Sequence, residues 1–189
     1  DLPRARLVSW AGILQADAYG GYGELYRDGR QPGPVFEAGC FAHARRKFFE
    51  LADVEGAVRK KSRGERTEQI YPIALEAVQR LDALFDIERR VNGLPSQERL
   101  TARQEHSAPL MADLHAWLHA QLARLSRNHD LAKAINYMLR RWPAFARFLE
   151  DGRVCITNNA AERALRGVTL GRKSWLFCGS DRGGQRAAV

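Results

Sequence analysis

The stretch Gly12-Ile13-Leu14-Gln15-Ala16-Asp17 is a short apolar run that ends in a carboxylate. Its length, and the glycine-containing loop that follows it, predict a buried β-strand with Asp17 at its carboxyl-terminal edge. An open α/β sheet usually carries its functional groups at that edge. Asp17 is therefore a candidate site residue, although a carboxylate in this position can equally cap a loop.

The pattern that follows this strand also fits an α/β domain. Residues 22–26 are compatible with a short helix, and residues 35–41 form a second apolar run that predicts another strand. Residues 42–54 then predict a helix with Phe48 and Ala52 on its apolar face. The first part of the chain is therefore expected to form a strand, a crossover, a second strand and a helix.

The middle of the chain shows helical periodicity. Apolar residues recur at steps of three and four from residue 70 to residue 149, which predicts several helices and no strand there. The break Asn92-Gly93-Leu94-Pro95-Ser96 ends the first helix, and Pro143 is expected to end or kink the third. In the second helix the pattern places Leu110 and Leu114 on the apolar face.

The last part of the chain returns to an α/β pattern. Residues 153–156 predict a short strand, and Asn158 or Asn159 is positioned to cap a helix that contains Glu162. The chain is thus predicted to be an α/β protein with a large all-α insertion. Its expected parts are residues 1–55 for the first part of the core, residues 56–150 for the helical insertion, and residues 151–189 for the second part.

Composition limits the classes of function. The 189 residues carry 30 Lys and Arg against 22 Asp and Glu, which gives a formal charge of +8 and a pI of about 9.9. A surplus this large favours a polyanionic partner, usually nucleic acid. No run approaches the roughly 18 apolar residues of a membrane span, and three scattered cysteines suit a reducing cytosol. The nucleotide-binding glycine loops and the hydrolase nucleophile motif are absent.

Glu162 has two interpretations from its position alone. A Glu three residues after Asn159 fits a capping box, in which the carboxylate binds free N–H groups at the helix start, and spacing alone favours this interpretation. However, six Arg or Lys residues and a single acid, Asp181, lie in residues 163–189. Carboxylates can bind a hard divalent cation, and surrounding Arg and Lys side chains can bind phosphates. This combination suits chemistry on a nucleic-acid backbone. A basic helix is nevertheless more often only a solvated face.

Cys40 and His43 form a C-x-x-H pair. A structural zinc site needs four ligands, and we expect no second pair to complete one. Cys40 is therefore predicted to be a small buried hydrophobe. His43, near a helix start, either points into a site or caps the helix.

Longer motifs in the chain resemble those of a known family. They are residues 14–22 (Leu-Gln-Ala-Asp-Ala-Tyr-Gly-Gly-Tyr), residues 38–48 (Ala-Gly-Cys-Phe-Ala-His-Ala-Arg-Arg-Lys-Phe), and residues 158–166 (Asn-Asn-Ala-Ala-Glu-Arg-Ala-Leu-Arg) followed by residues 171–181 (Gly-Arg-Lys-Ser-Trp-Leu-Phe-Cys-Gly-Ser-Asp). In order and spacing they resemble bacterial insertion-sequence transposases of the sixty-six family. That family belongs to the DDE transposases, so the resemblance implies a partial ribonuclease-H-like fold.

The resemblance also implies a chemistry and a set of site residues. It assigns the second catalytic Asp to Asp17 and the catalytic Glu to Glu162, and it expects the first Asp upstream of residue 1. Together these carboxylates would hold two Mg²⁺ or Mn²⁺ ions for cleavage at transposon ends and joining to target DNA. His43 and Arg163 are expected near the scissile phosphate. The candidate DNA-backbone contacts are Arg45, Arg46, Lys47, Arg163, Arg166, Arg172 and Lys173.

The partners implied by the resemblance are DNA and further copies of the same protein assembled on DNA in the bacterial cytoplasm. A different class of function stays open at this stage, namely a non-catalytic nucleic-acid-binding or assembly module from a decayed mobile element. In that case the helical middle is the functional part, and Asp17 and Glu162 are structural.

Overall fold

A computed structural model describes residues 5–17, 20–52 and 72–174. The chain divides into two compact units, Asp1–Thr157 and Asn158–Val189. The end of the helix predicted to reach Val54 and most of the motif at residues 171–181 lie outside the described residues.

The sheet of the first unit consists of two parallel strands. Strand β1 covers Gly12–Ala16 and strand β2 covers Val35–Gly39, with Gly12 opposite Val35 and Ala16 opposite Gly39. A 3-10 helix, Gly20–Tyr26, lies in the crossover between them. Because the strands are parallel, both carboxyl-terminal ends meet at the same edge of the sheet. The predicted strand before Asp17 is confirmed, but it is less buried than predicted, since only Ala16 is buried and the other four residues are partly exposed.

The second strand is shorter than predicted because a helix begins sooner. Helix α1 covers Phe41–Ala52, and the carbonyl oxygen of Cys40 accepts the hydrogen bond of the Ala44 N–H at 3.2 Å. Cys40 is therefore the N-terminal cap of the helix, so the strand prediction that reached residue 41 was wrong by two residues. The apolar face of the helix is fully buried at Phe48 and Ala52, as the periodicity predicted.

The middle of the chain is helical. Its elements are α2 (Pro72–Val91), α3 (Ser96–Ala102), a π-helical turn (Arg103–Ser107), α4 (Ala108–Leu122), α5 (Asp130–Leu139), α6 (Trp142–Ala146) and a 3-10 turn (Arg147–Leu149). Residues 72–150, all of which are described, contain no strand, which confirms the all-helical prediction there. Pro143 lies in the first turn of α6 rather than within a longer helix. Of the described helices, none is both long and apolar enough to cross a bilayer.

One hydrophobic core joins the helical middle to the sheet. Phe41 of α1 packs edge-on against Phe145 and Phe148, with ring centroids 5.1 and 5.5 Å away. Such edge-to-face pairs add to the free energy gained by burying the rings. On α4 the buried side includes Leu114, whereas Leu110 is exposed, so the predicted apolar face was one residue off at its start.

Residues 153–156 do not form the predicted strand. The side-chain amide of Gln15 donates to the carbonyl oxygen of Cys155, and the Phe41 N–H donates to that of Ile156 at 2.8 Å. These are single contacts from a side chain and from a helix start. They give the carbonyl oxygens of Cys155 and Ile156 a hydrogen-bond donor without a ladder of main-chain hydrogen bonds to a strand. The segment therefore lies beside the sheet and does not form a strand of it.

The second unit is described as one helix, α7, which covers Asn159–Ser174. The Glu162 N–H donates to the carbonyl oxygen of Asn158 at 3.1 Å. The N-terminal cap is the residue whose carbonyl accepts the first intrahelical hydrogen bond, so Asn158 is the cap. The sequence predicted either Asn158 or Asn159 for this position. Taken with the first unit, the described residues are mostly helical with a small parallel sheet, which is consistent with an α/β protein.

Candidate functional site

Asp17 directly follows β1 at the edge where both strands end. Its side chain is about half exposed (47%), and its Oδ2 lies 3.9 Å from Nε2 of His43. His43 occupies the third position of α1, so the short link from β2 to this helix brings the imidazole back to the strand ends. The structure therefore brings together Asp17 and His43, two of the residues predicted to belong to one site.

Glu37 of β2 is a second carboxylate in this part of the first unit. Its Oε1 lies 3.7 Å from Nε of Arg141, and its main-chain oxygen accepts a 2.9 Å hydrogen bond from Nε of Arg147. Burial raises the pKa of the Glu37 carboxyl, and the positive charge of Arg141 partly opposes that rise. Sequence reasoning missed this contact because the partners are more than a hundred residues apart.

Tyr137 of α5 also reaches the strand ends. Its hydroxyl donates to the main-chain oxygen of Asp17 at 3.4 Å. Its ring lies 4.7 Å from Nζ of Lys47 and 5.5 Å from the guanidinium carbon of Arg141. Burial raises the pKa of the Tyr137 phenol, while Arg141 opposes the rise, so the hydroxyl keeps its proton and remains a donor. No sequence motif indicated this residue.

The three consecutive basic residues in the middle of α1 contact different partners. Arg45 donates to both carboxylate oxygens of Asp82 on α2 at 2.6 and 3.0 Å, which ties the two helices together. Arg46 pairs with Glu50 of its own helix at 2.8 Å, and both side chains are mostly exposed. Lys47 is the one whose ammonium lies over the ring of Tyr137, the residue that reaches Asp17.

A further set of predicted residues lies on α7. Asn159, Glu162, Arg163 and Arg166 line one hollow, because residues three and four apart share a helix face. Glu162 follows the cap residue Asn158 by four positions, whereas a capping box needs three, so the capping-box interpretation of Glu162 was wrong. A carboxylate in the first turn is nevertheless favoured by the helix dipole. The main chain of Arg172 and Lys173 belongs to α7, and their side chains lie outside the described part.

The donor chemistry of Asp17 fits a hard divalent cation. Mg²⁺ is commonly bound through one or two carboxylates and completes its shell with water and substrate phosphates. Within the described ranges, no group of three or more His, Cys, Asp and Glu side chains is arranged to hold a metal ion. Cys40 is fully buried, as predicted, and with His43 it supplies at most two of the four ligands that structural zinc needs.

Sequence reasoning missed a second pair of side chains of a type that can bind metal ions, His115 and His119. His115 and His119 lie one turn apart on α4, with ring centroids 4.6 Å from each other, and His115 also packs on Trp142 at 4.5 Å. The spacing H-x-x-x-H was the signal that could have found them. The expectation that the chain has no second ligand pair was therefore wrong, although two imidazoles alone do not complete a structural zinc site.

Comparison with known proteins identifies the class. Residues 1–186 match the family described as Transposase IS66 family, so the chain belongs to this family of transposases. Among its relatives in Sinorhizobium fredii, the protein y4hP is 54% identical over 187 residues, which cover 99% of this chain and 34% of y4hP. The protein y4jD is 37% identical over 186 residues, covering 97% of this chain and 34% of y4jD. This chain spans about a third of the length of these curated relatives. No solved structure matches it.

Proposed function

We propose that this chain contributes two catalytic carboxylates, Asp17 and Glu162, to a DDE-type DNA transposase. Membership of the transposase family over residues 1–186 is the observation that carries the proposal. The position of Asp17 at the common carboxyl-terminal edge of two parallel strands supports it, because that edge is where α/β proteins assemble their sites.

The proposed fold is ribonuclease-H-like, interrupted by a helical insertion. Support comes from the order of elements, in which two parallel strands and a helix precede a long stretch of helices from residue 72 to residue 149. We propose residues 1–55 and 151–189 as the two parts of the catalytic core and residues 56–150 as the insertion between them.

In the proposed mechanism Asp17 and Glu162 bind Mg²⁺ or Mn²⁺ through their oxygen atoms. When bound, the ions supply activation of water or of a DNA 3′-OH and stabilisation of the leaving oxygen. His43 lies with its Nε2 3.9 Å from the Asp17 carboxylate, which places the imidazole at the same edge of the sheet as the bound ions would be. Arg163 lines the same hollow as Glu162, where a guanidinium can neutralise a DNA phosphate.

The proposed partner is DNA, both transposon ends and target, bound by further copies of the same protein. Among the described residues we propose Arg166, which is exposed, and Lys47, whose ammonium lies over the Tyr137 ring, as phosphate contacts. Such contacts position DNA without reading its sequence. Arg45 would have to release Asp82 before it could bind a phosphate, so we propose that its main contribution is to hold α1 against α2.

Strand cleavage by the complete protein encoded by the gene tests this proposal. A labelled transposon-end duplex is incubated with Mg²⁺ or Mn²⁺ and the wild type, Asp17→Asn or Glu162→Gln. Each variant should lower the cleavage rate by about a thousandfold while DNA binding is kept, since several kcal/mol of metal catalysis is removed. The matched controls are Asp28→Asn and Glu98→Gln, whose side chains are exposed, and both should cleave normally.

Two outcomes would contradict the proposal. Undiminished cleavage by Asp17→Asn or Glu162→Gln would remove that residue from the catalytic set. DNA binding without metal-dependent cleavage by the wild type would favour the non-catalytic binding or assembly module.

A further inference from the structure

Tyr137 connects the helical middle to the segment that carries Asp17. It lies in α5, 120 residues away from Asp17 in sequence, and its hydroxyl donates to the Asp17 main-chain oxygen at 3.4 Å. The carbonyl that accepts this hydrogen bond belongs to the residue that bears the carboxylate. Fixing the peptide plane there restricts the direction in which the Asp17 side chain leaves the main chain.

Two cationic side chains lie over the ring of Tyr137. Nζ of Lys47 lies 4.7 Å from the ring centroid, and the guanidinium carbon of Arg141 lies 5.5 Å from it. Both distances are within the roughly 6 Å over which an aromatic face attracts a cation. Lys47 comes from α1 and Arg141 from the turn after α5, so the ring gathers positive charge from two separate elements.

The position of the ring is itself fixed by the core. Tyr137 packs against Phe145 with ring centroids 6.0 Å apart, and Phe145 is fully buried. Arg141 also has its Nε 3.7 Å from the Glu37 carboxylate, which is longer than a hydrogen bond, so this contact limits the position of the guanidinium without using its donors as Asp82 uses those of Arg45. This arrangement is pre-organised, because the cations do not have to be recruited from solvent when a polyanion arrives.

We infer that Tyr137 is a positioning residue of the Asp17 site, whose hydroxyl orients Asp17 and whose ring holds Lys47 and Arg141 ready for a DNA phosphate beside it. The inference rests on the proposed function and deepens it, since it gives the helical middle a part in the active site. Arg141 thereby becomes a DNA contact that the sequence motifs did not indicate. The two roles belong to different atoms of one side chain and can be separated by substitution.

Tyr137→Phe removes the hydroxyl and keeps the ring. In the complete protein, the Mg²⁺ concentration for half-maximal strand cleavage should rise about threefold to tenfold. This is the change in a binding constant that corresponds to the free energy of one hydrogen bond. DNA affinity and its salt dependence should stay at wild-type values, and the melting temperature should fall only by the small amount that one lost hydrogen bond costs. The matched control is Tyr26→Phe, because the Tyr26 hydroxyl is buried and has no hydrogen-bond partner among the described residues.

Tyr137→Leu removes the aromatic face as well and keeps an apolar side chain against Phe145. DNA binding should now weaken about threefold, and the slope of log K against log salt should flatten by about one for each phosphate that is no longer neutralised. Trp117→Leu is the matched control, since it removes the ring under a different cation, Arg80, at 4.8 Å. That control should leave DNA binding unchanged.

The outcomes separate this inference from the proposed function. An unchanged Mg²⁺ requirement in Tyr137→Phe, while Asp17→Asn abolishes cleavage, overturns the inference alone. A loss of activity in Tyr137→Phe that follows its melting temperature, and is the same at every Mg²⁺ concentration, assigns Tyr137 to folding only and also overturns it. Full cleavage by Asp17→Asn overturns the proposed function itself.

Discussion

Arg103 is completely buried, and its guanidinium donates to both carboxylate oxygens of Glu88 at 2.7 Å. The same group donates to the main-chain oxygen of Phe148 at 3.2 Å and stacks on the Phe148 ring at 5.4 Å. It therefore ties α2 to the π-helical turn and to the chain that leads out of the helical middle. Arg103 is the only fully buried charged side chain among the described residues.

Breaking this pair should destabilise the fold strongly. Arg103→Met or Glu88→Gln leaves its partner's charge buried and uncompensated, which costs about 3–5 kcal/mol of unfolding free energy. Urea unfolding followed by circular dichroism measures the loss. Arg46→Ala, which removes an exposed ion pair with Glu50, is the control and should cost about 1 kcal/mol or less. Equal effects at the two sites would show that Arg103 is not the link described above.

Gly152 is required by a close approach of two main-chain segments. A Cβ at this position would overlap the carbonyl oxygen of Ser96 at the start of α3. Because main chain cannot yield as a flexible side chain can, Gly152→Ala should cost about 1–3 kcal/mol or more, measured by thermal unfolding. Gly167→Ala in α7 meets nothing within 4 Å and should instead favour the helix by roughly 0.5–1 kcal/mol. The same destabilisation at both glycines would contradict this explanation.

The Asp151 carboxylate makes the free energy of unfolding depend on pH. Hydrogen bonds from Arg153 lower the pKa of Asp151 to about 2, below its ordinary value of 3.8. The stabilisation is present above the ordinary value and is lost as the pH falls through the lowered pKa. Asp151→Asn should therefore be less stable than the wild type at pH 7, by a modest amount because Arg153 is exposed, and the difference should vanish below about pH 2. A difference that persists unchanged at low pH would exclude this ion pair as its cause.

The exposed arginines of α7 should determine part of the salt dependence of DNA binding. Arg163→Ala with Arg166→Ala should weaken binding to all sequences and flatten the slope of log K against log salt by about two, which is close to one per neutralised phosphate. Fluorescence anisotropy at several salt concentrations measures the slope. Arg89→Ala removes an exposed arginine that pairs with Asp86, and it should leave the slope unchanged. An unaltered slope in the double variant would identify this helix face as merely solvated.

The local elements of the fold could be predicted from the sequence, because their causes are local. The apolar run before Asp17 forms a strand, and steps of three and four form the helices of the middle. Boundaries were less accurate where a cap decides them, as at Cys40, whose carbonyl starts α1, so that β2 ends at Gly39, two residues before its predicted end. The apolar run at residues 153–156 does not reveal that its own main-chain groups bind elsewhere, as the Ile156 oxygen binds the Phe41 N–H.

The surroundings of the candidate site could be predicted only in part. Asp17 and His43 were found through motifs close together in sequence, and the structure places their side chains 3.9 Å apart. Tyr137 and Arg141 were missed because their contacts depend on how α5 packs against α1, which no short pattern encodes. The separate partners of Arg45 and Lys47 likewise follow from helix packing, since neighbouring residues on a helix face different directions.

Metal-directed cleavage of the protein chain measures whether Asp17 and Glu162 bind the same divalent ions, as we propose. Fe²⁺ replaces Mg²⁺ at oxygen sites, and with ascorbate and peroxide it cuts the polypeptide next to its ligands. The complete protein bound to end DNA should be cut near residue 17 and near residue 162. Excess Mg²⁺, Asp17→Asn or Glu162→Gln should suppress both cuts together. Cutting near only one of the two residues, or two cuts that respond independently to the two variants, would contradict the account.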